Sequence, residues 1–347
     1  MLRLPDAWTW DFWIADTGDE YHLFFLRASR ALRFPDQRHY RASIGHAVST
    51  DLYNWSLLPD ALVPGDRPAF DDIATWTGSV VKNDDGQWYM FYTGISAEEG
   101  GLVQRIGLAV SDNLIRWNRH PDFDVFSADP KWYEKIGDST WPNEAWRDPW
   151  VFRDSNGSGW HMFVTARSRV GEVDNRGVLG YAKSRDLVSL EAQPPLSRPG
   201  SGFGVMEVMQ IETVDDRPVL LFSCLHPELS GAKRKYETRG GIWVATQDRL
   251  LGGFDIENAH LLSDDRLYSG RLVKNRQGKW MMLAFHNKDA NGEFIGEVSD
   301  PISVLWDSEG KLSLGESAPP LELVGELKEP LQVFHSTELQ PNSAKRA

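Results

Sequence analysis

A strand, a turn, a second and aromatic strand, and a third strand of small residues recur five times along the chain, and this repetition constrains the fold more than any other feature. The aromatic strand reads DEYHLFFL at 19–26, GQWYMFYTG at 86–94, SGWHMFVTA at 158–166, RPVLLFSC at 217–224 and GKWMMLAF at 278–285. The small-residue strand follows as SIGHAVSTDLYNW, RIGLAVSDNLIRW, VLGYAKSRDLVSL, GIWVATQDRLL and FIGEVSDPISVLW. In several copies an Asp-Leu pair leads to a bulky residue that ends the unit. Equivalent positions Tyr21, Trp88, Trp160, Val219 and Trp280 stand 67, 72, 59 and 61 residues apart. That period is too short for a domain and too long for a hairpin, but it suits a four-stranded blade with generous loops. The expected fold is therefore all-β: a five-bladed β-propeller of four-stranded antiparallel blades around a central funnel. NDDGQ at 83–87, DSNGSG at 154–159 and KNRQGK at 274–279 supply tight turns within blades, since Gly and Asn accept positive φ. Helical periodicity is weak and no Pro- or Ser-rich linker separates the repeats. One propeller domain is expected over residues 1–310, with a tail over 311–347 that packs on the propeller or is partly disordered.

Bulk properties remove several function classes. The net charge of −13 would repel phosphate backbones and anionic lipid, and no basic cluster offsets it, so nucleic acid is not an expected partner. No run of about 18 apolar residues is present to span a bilayer, and no membrane partner is expected. Cys224 is the single cysteine, which excludes an intramolecular disulfide; its setting LLFSCL reads as a buried strand thiol. The start MLRLPDAW has no charged segment followed by an apolar one, so a cytoplasmic location is expected unless a leader was removed. Fifteen tryptophans are many for a chain of this size, and their broad apolar faces with a polar edge are suited both to core packing and to stacking on sugar rings.

In a propeller the first strand of each blade lines the channel, so polar residues opening those strands point towards one mouth. Blade one opens with WTWDFW around Asp11, blade two with TWTGSVV at 75–81, blade three with AWRDPWVF at 145–152, blade four with GVMEVMQI at 204–211 and blade five with LYSGRLV at 267–273. Three carboxylates, Asp11, Asp148 and Glu207, are thereby brought to equivalent positions of three strands. Each has an ordinary explanation as well: a turn cap, an ion pair with Arg147, an exposed strand residue. Together they would repel one another, and crowded carboxylates split their pKa values, leaving one protonated and another ionised. Cleavage of a glycosidic bond needs that division between an acid and a carboxylate that meets the oxocarbenium ion. Asp16 is the rival to Asp11 but lies next to TGDE, a hairpin turn. Asp71, Asp72 and Glu144 read either as rim residues or as solvated loop. The nine histidines show no metal-ligand spacing, and neither a metal nor a cofactor is called for.

These motifs resemble the furanoside-cleaving five-bladed propeller enzymes, above all glycoside hydrolase family 32 and its relative family 68. GHAVSTDLYNWSLLPDALVPG at 45–65 is similar to the family 32 segment after the first blade, WTGS at 76–79 to its Trp-Ser-Gly-Ser motif, and WRDPWVF carries the Arg-Asp-Pro motif of both families. MEVMQ keeps the glutamate of the family 32 Glu-Cys-Pro motif and loses its neighbours, while WDFW is closer to the Trp-Asp motif of family 68. The resemblance covers residues 8 to about 300. It implies Asp11 as nucleophile, Glu207 as general acid and then base, and Asp148 as the partner of two furanose hydroxyls, with Arg147 holding the geometry. Trp76, with Trp10 and Trp13 on an inner strand that can send only one face into the funnel, would wall the sugar pocket, and Ser79 would contact the ring. The activity implied is retaining hydrolysis of terminal β-fructofuranosides by double displacement, on a small carbohydrate such as sucrose. Three alternatives remain open: an inverting arabinofuranosidase or xylosidase like those of family 43, a fructosyltransferase, and a noncatalytic sugar-binding propeller. Oligomeric state is not readable from the chain.

Overall fold

The computed structural model describes residues 1–246 and 249–315. They form five antiparallel sheets. Blade 1 contains β1 (Ala7–Asp16), β2 (Tyr21–Ser29), β3 (Ser43–Ser49) and β4 (Ser56–Leu62); blade 2 contains β5 (Ala74–Lys82), β6 (Trp88–Ile95), β7 (Arg105–Ser111) and the short β8 (Asn118–Arg119). Blade 3 is built from β9 (Trp146–Arg153), β10 (Trp160–Arg167), β11 (Gly177–Ser184) and β12 (Leu190–Gln193), and blade 4 from β13 (Glu207–Val214), β14 (Arg217–Cys224), β15 (Gly241–Thr246) and β16 (His260–Asp264). In blade 5, β17 (Leu267–Lys274) pairs with β18 (Trp280–Lys288), whose far edge is shared by β19 (Phe294–Val298) and β20 (Ile302–Trp306); β21 (Leu312–Leu314) closes the sheet. The expected third strand of this blade is thus split, β19 pairing with one end of β18 and β20 with the other. Strand β21 also carries blade 5 past residue 310, and the remainder of the expected tail, from 316 on, lies outside the described residues.

The ring closes through its inner strands, β1 packing on β5 and β17, β5 on β9, β9 on β13, and β13 on β17. Five hydrophobic clusters fill the five seams. Both faces of every blade are buried, which is why the aromatic strands read as continuous apolar runs without a polar alternation. β2 sends Tyr21, Leu23 and Phe25 into the seam with blade 5, and Phe24 and Leu26 into the seam with blade 2. β14 does the same with Leu220, Phe222 and Cys224 on one side and Val219 and Leu221 on the other. Cys224 is accordingly a fully buried strand thiol. The N-terminal segment clasps the ring: Leu2 exchanges two 3.0 Å main-chain bonds with Val298 of β19.

The three expected turns form as five- and six-residue loops. The Asn83 amide donates to the Gln87 carbonyl at 2.9 Å with Gly86 at φ 87°, Asp154 donates to Gly159 at 2.9 Å with Gly157 at φ 73°, and Asn275 donates to Lys279 at 2.9 Å with Gly278 at φ 74°. The Asp-Leu pairs make a second repeated turn. Ser49, Ser111 and Ser184 accept main-chain amides, Asp51, Asn113 and Asp186 each accept two more, and the following Leu52, Leu114 and Leu187 take φ of 70°, 64° and 68°. A left-handed leucine is strained, and here it is held because its side chain is buried in a seam.

Candidate active site

All five inner strands carry an extra residue at the same level, and this shared bulge builds the site. Against β2, Trp10 and Phe12 face consecutive residues and Asp11 is the insertion; against β6, Thr77 is the insertion between Trp76 and Gly78. In β9, β13 and β17 the shift falls between Arg147 and Trp150, Glu207 and Gln210, and Tyr268 and Arg271. Asp148, Val208 and Ser269 stand there at φ 56°, 52° and 51°. A bulge adds local twist and turns one side chain out of the sheet, in this case towards the axis. Gly78 is required beside its bulge, because a Cβ there would stand 2.0 Å from the Phe91 carbonyl oxygen.

The bulge refines the expected equivalence of the three acids. Asp11 and Asp148 occupy the bulge position itself, whereas Glu207 stands one residue earlier, in register with Trp10, Trp76, Arg147 and Tyr268. All three carboxylates nevertheless line one cavity of about 300 Å³, together with Trp10, Trp76, Arg147, Thr77, His39, Gln104, Asn143 and Glu228.

Each carboxylate is fixed by groups from a different part of the ring. Asp11 accepts from Thr77 Oγ1 at 2.6 Å and from Ser269 Oγ at 2.7 Å, the bulge residues of the two flanking blades. Burial raises its pKa, the two hydroxyls oppose that, and the charge of Glu207 raises it further. Asp148 accepts from Thr165 Oγ1 at 2.8 Å and from the Val208 amide at 3.2 Å, an amide aimed by the strained φ of that residue. Burial pushes Asp148 up to about 7 against the pull of Arg147, whose Nε lies 3.5 Å away. Glu207 accepts from Arg147 Nη2 and from the Tyr268 hydroxyl, both at 2.6 Å. Burial works against the Arg147 charge, but Glu207 and Asp148 more than offset it and hold its pKa above the ordinary value.

The wall of the cavity comes from loops. Residues Pro35–Tyr40 form a 3-10 turn that places His39 edge-on between Trp10 and Trp76, with ring centroids 6.1 Å from each. Trp76 Nε1 donates to the His39 carbonyl at 2.7 Å. Burial, with help from Arg38 and Arg147, lowers His39 to about 3, so its imidazole is neutral. Asn143 also lines this site and has a buried side-chain oxygen with no protein partner, and Glu228 adds a fourth carboxyl, raised to about 8 by burial and by the charge of Glu207. Thr77 and Ser269 were detectable in principle, since TWTG and YSGR align with WTWDF once a common bulge is assumed; His39, Asn143 and Glu228 sit on unrepeated loops and carry no such signal.

Two expected wall residues stand elsewhere. Trp13 has no exposed surface and stacks on Phe24 at 6.2 Å inside the seam of blades 1 and 2, because beyond the bulge at Asp11 the strand returns its side chains to the core. Ser79 is also buried, and its Oγ accepts the Val151 amide at 3.0 Å, tying blade 2 to blade 3. Asp16 sits in its hairpin turn, accepting the Gly18 amide at 2.8 Å and pairing with Arg276. Asp71 is neither rim nor loop surface: it is fully buried against Arg119 at 2.6 Å and Tyr92 at 2.9 Å. Asp72 accepts the Ala97 amide at 2.7 Å, and Glu144 is buried on Lys135.

Residues 13–294 match the description Glycosyl hydrolases family 32 N-terminal domain. The chain belongs to glycoside hydrolase family 32. A sucrose:sucrose 1-fructosyltransferase of Festuca arundinacea is 30% identical over 297 residues, 77% of this chain and 41% of that protein. An acid beta-fructofuranosidase of Vicia faba is 37% identical over 227 residues, 64% of this chain and 32% of that protein. The family 32 chain thus spans well under half the length of these relatives. Among solved structures, the inulosucrase from Halalkalicoccus jeotgali bound to kestose superposes with a TM-score of 0.73 at 20% identity, covering 92% of this chain and 94% of the other. Fructan 1-exohydrolase IIa from Cichorium intybus gives 0.65 at 19% identity, covering 90% and 59%. At those identities the likeness is one of fold.

Proposed function

We propose that the protein is a retaining hydrolase of terminal β-fructofuranosides, acting on sucrose or short fructo-oligosaccharides. The observation that carries this reading is that Asp11 and Glu207, delivered by blades 1 and 4, line one sugar-sized cavity with distinct hydrogen-bond partners, hydroxyls alone on Asp11 and a guanidinium with a phenol on Glu207. Asp11, held by two hydroxyls with no direct ion pair, keeps its nucleophilicity and attacks the anomeric carbon while Glu207 gives its proton to the departing oxygen. The fructosyl ester on Asp11 is then attacked by water, whose proton returns to Glu207 as the Asp11 carboxylate leaves. Tyr268 suits both halves of this cycle, because its hydroxyl donates to an ionised Glu207 and accepts from a protonated one. Asp148, whose carboxyl stands 3.5 Å from Arg147 Nε, accepts hydrogen bonds from two ring hydroxyls as positive charge develops, and Trp10 and Trp76 wall the apolar side of the ring. Relatives in the family include both hydrolases and fructosyltransferases, and the panel below separates the two by its products.

The test is a panel of sucrose, inulobiose, levanbiose and aryl arabinofuranosides, with products read by NMR. Free fructose released with retained configuration is expected. Asp11→Asn and Glu207→Gln should each lower turnover by at least about 10³-fold while leaving the far-ultraviolet circular dichroism unchanged. Unchanged turnover in either variant, arabinose as the product, or inversion at the anomeric carbon would reject the assignment.

A further inference from the structure

Below the bulges, one cation occupies the axis of the ring. Arg271 of β17 is 2% exposed. Its Nε donates to the Phe12 carbonyl at 3.1 Å, and its Nη1 donates to the carbonyls of Met209 at 2.8 Å and Val208 at 3.3 Å. Its guanidinium lies 4.9 Å from the centroid of the Trp150 ring. Phe12 follows Asp11 directly, and Val208 and Met209 are the two residues after Glu207. A single side chain of blade 5 therefore grips the backbone of blades 1 and 4 immediately behind the two carboxylates assigned to the chemistry, and stacks on blade 3 two residues after Asp148.

We propose that Arg271 is a positioning residue for this reaction: its rigid fork sets the separation of the Asp11 and Glu207 carboxyl groups, and its fixed charge stands beneath Asp11 and Asp148 as their common counter-ion. The planar fork matters because three carbonyls in fixed directions are matched by guanidinium N–H groups and not by a single ammonium. The charge matters because the site holds several carboxyls, while Arg147 is already engaged with Glu207 and Gln104. Burial lowers Arg271 to about 10, with Asp148, Asp11 and Glu212 pulling it back up, so it keeps its proton at neutral pH. The charged groups facing it are Asp11 on β1, Asp148 on β9 and Glu212 on β13; Glu212, raised to about 7 by burial, is on the side away from the sugar cavity, in a hollow that Arg271 and Lys274 also line. Arg271 thus forms the floor between the two mouths of the channel.

This inference rests on the fructosidase reading for its kinetic part alone, and a substrate-free measurement keeps the two separable. Carboxyl ¹³C titration of Asp11 and Asp148 by NMR, in wild type, Arg271→Lys and Arg271→Met, reads the charge; kcat and KM on sucrose against pH read the spacing. In Arg271→Met both carboxyl midpoints should move up by about one pH unit or more, and the acidic limb of kcat/KM should follow them. kcat should fall by about 10²-fold with KM changed by less than about threefold, since a misplacement of the reacting groups costs rate before it costs binding. Arg271→Lys should keep the midpoints near their wild-type values and recover part of kcat, yet remain about tenfold below wild type. A folded Arg271→Met variant with unmoved midpoints overturns the proposal. Wild-type kcat in Arg271→Lys overturns it too, and that variant decides the spacing if Arg271→Met does not fold. If wild type cleaves no β-fructoside, the activity assignment fails while the carboxyl titration still decides the charge of Arg271.

Discussion

Asp148 shows what a polar site costs the fold. The residue is 3% exposed and burial raises its carboxyl to about 7, so the folded protein binds this proton more tightly than the unfolded chain, whose aspartates titrate near 3.8. A raised carboxyl pKa means that stability is highest when the group is protonated and is lost as pH rises from about 4 through about 7. At pH 8 the deficit is on the order of 4 kcal/mol. Asp148→Asn keeps an oxygen for Thr165 and the Val208 amide and removes the charge. The variant should be inactive on sucrose, more stable than wild type at pH 8 and equal to it near pH 3, as measured by urea unfolding at the two pH values. A variant less stable than wild type at pH 8 would mean that the Asp148–Arg147 attraction outweighs burial.

At the scale of elements, the inner-strand bulge and the Asp-Leu turn are the two repeated devices. The bulge interrupts a period-two strand, which would place alternate residues in alternate seams, so that consecutive residues such as Trp10 and Asp11, Trp76 and Thr77, or Arg147 and Asp148 face the same cavity at a fixed height. The turn ends the third strand of three blades by capping three or four amides with a Ser and an Asp or Asn. In blade 1, Asp51 accepts the amides of Tyr53 and Asn54 at 2.8 Å and the Ser49 hydroxyl at 2.9 Å, and these bonds hold its pKa down at about 2 in spite of the desolvation that opposes them. Asp51→Ala should cost about 1 kcal/mol of stability at pH 7, by analogy with helix caps. Because the folded pKa is depressed, that contribution is present above about pH 4 and is lost as pH falls towards 2. Thermal melts of wild type and variant should therefore differ at pH 7 and converge on acidification.

At the scale of the whole molecule, stability is spread over five seams and one clasp. Leu2 and Leu4 are about 5% exposed and fill the seam of blades 5 and 1, where Leu2 also bonds Val298, and Arg30 reaches the carbonyls of Ala7 and Ile295 at 3.2 Å. Unlike the other seams, this one joins the start of the chain to its fifth blade. The double variant Leu2→Ala, Leu4→Ala should lose about 4 to 6 kcal/mol in guanidinium unfolding, since each truncation of a buried leucine costs about 2 to 3 kcal/mol or more. It should leave KM for sucrose unchanged, because neither side chain reaches the sugar cavity.

Blade count, blade period, turns and the family itself follow from local signals, namely apolar runs, Gly and Asn at turn positions and short motifs that survive in order. So do the three acids, because each is embedded in an apolar string that reads as an inner strand. The seam position of Trp13 and the amide bond of Ser79 do not follow, since an inserted residue changes which side of a strand each side chain takes and the insertion is visible only against the neighbouring strand; nor does the burial of Asp71, a turn residue enclosed by Tyr92 and Arg119 from later strands. His39, Asn143 and Glu228 reach the acids from unrepeated loops, and Arg271 reaches them from another blade. The loops have no counterpart in the other blades, and the approach of Arg271 arises from closing the ring, so neither leaves a periodic mark in the chain. The sequence by itself determined which elements form and which carboxylates they carry; tertiary structure decided how those carboxylates are spaced, partnered and charged, because those properties depend on groups that only ring closure brings within hydrogen-bond reach.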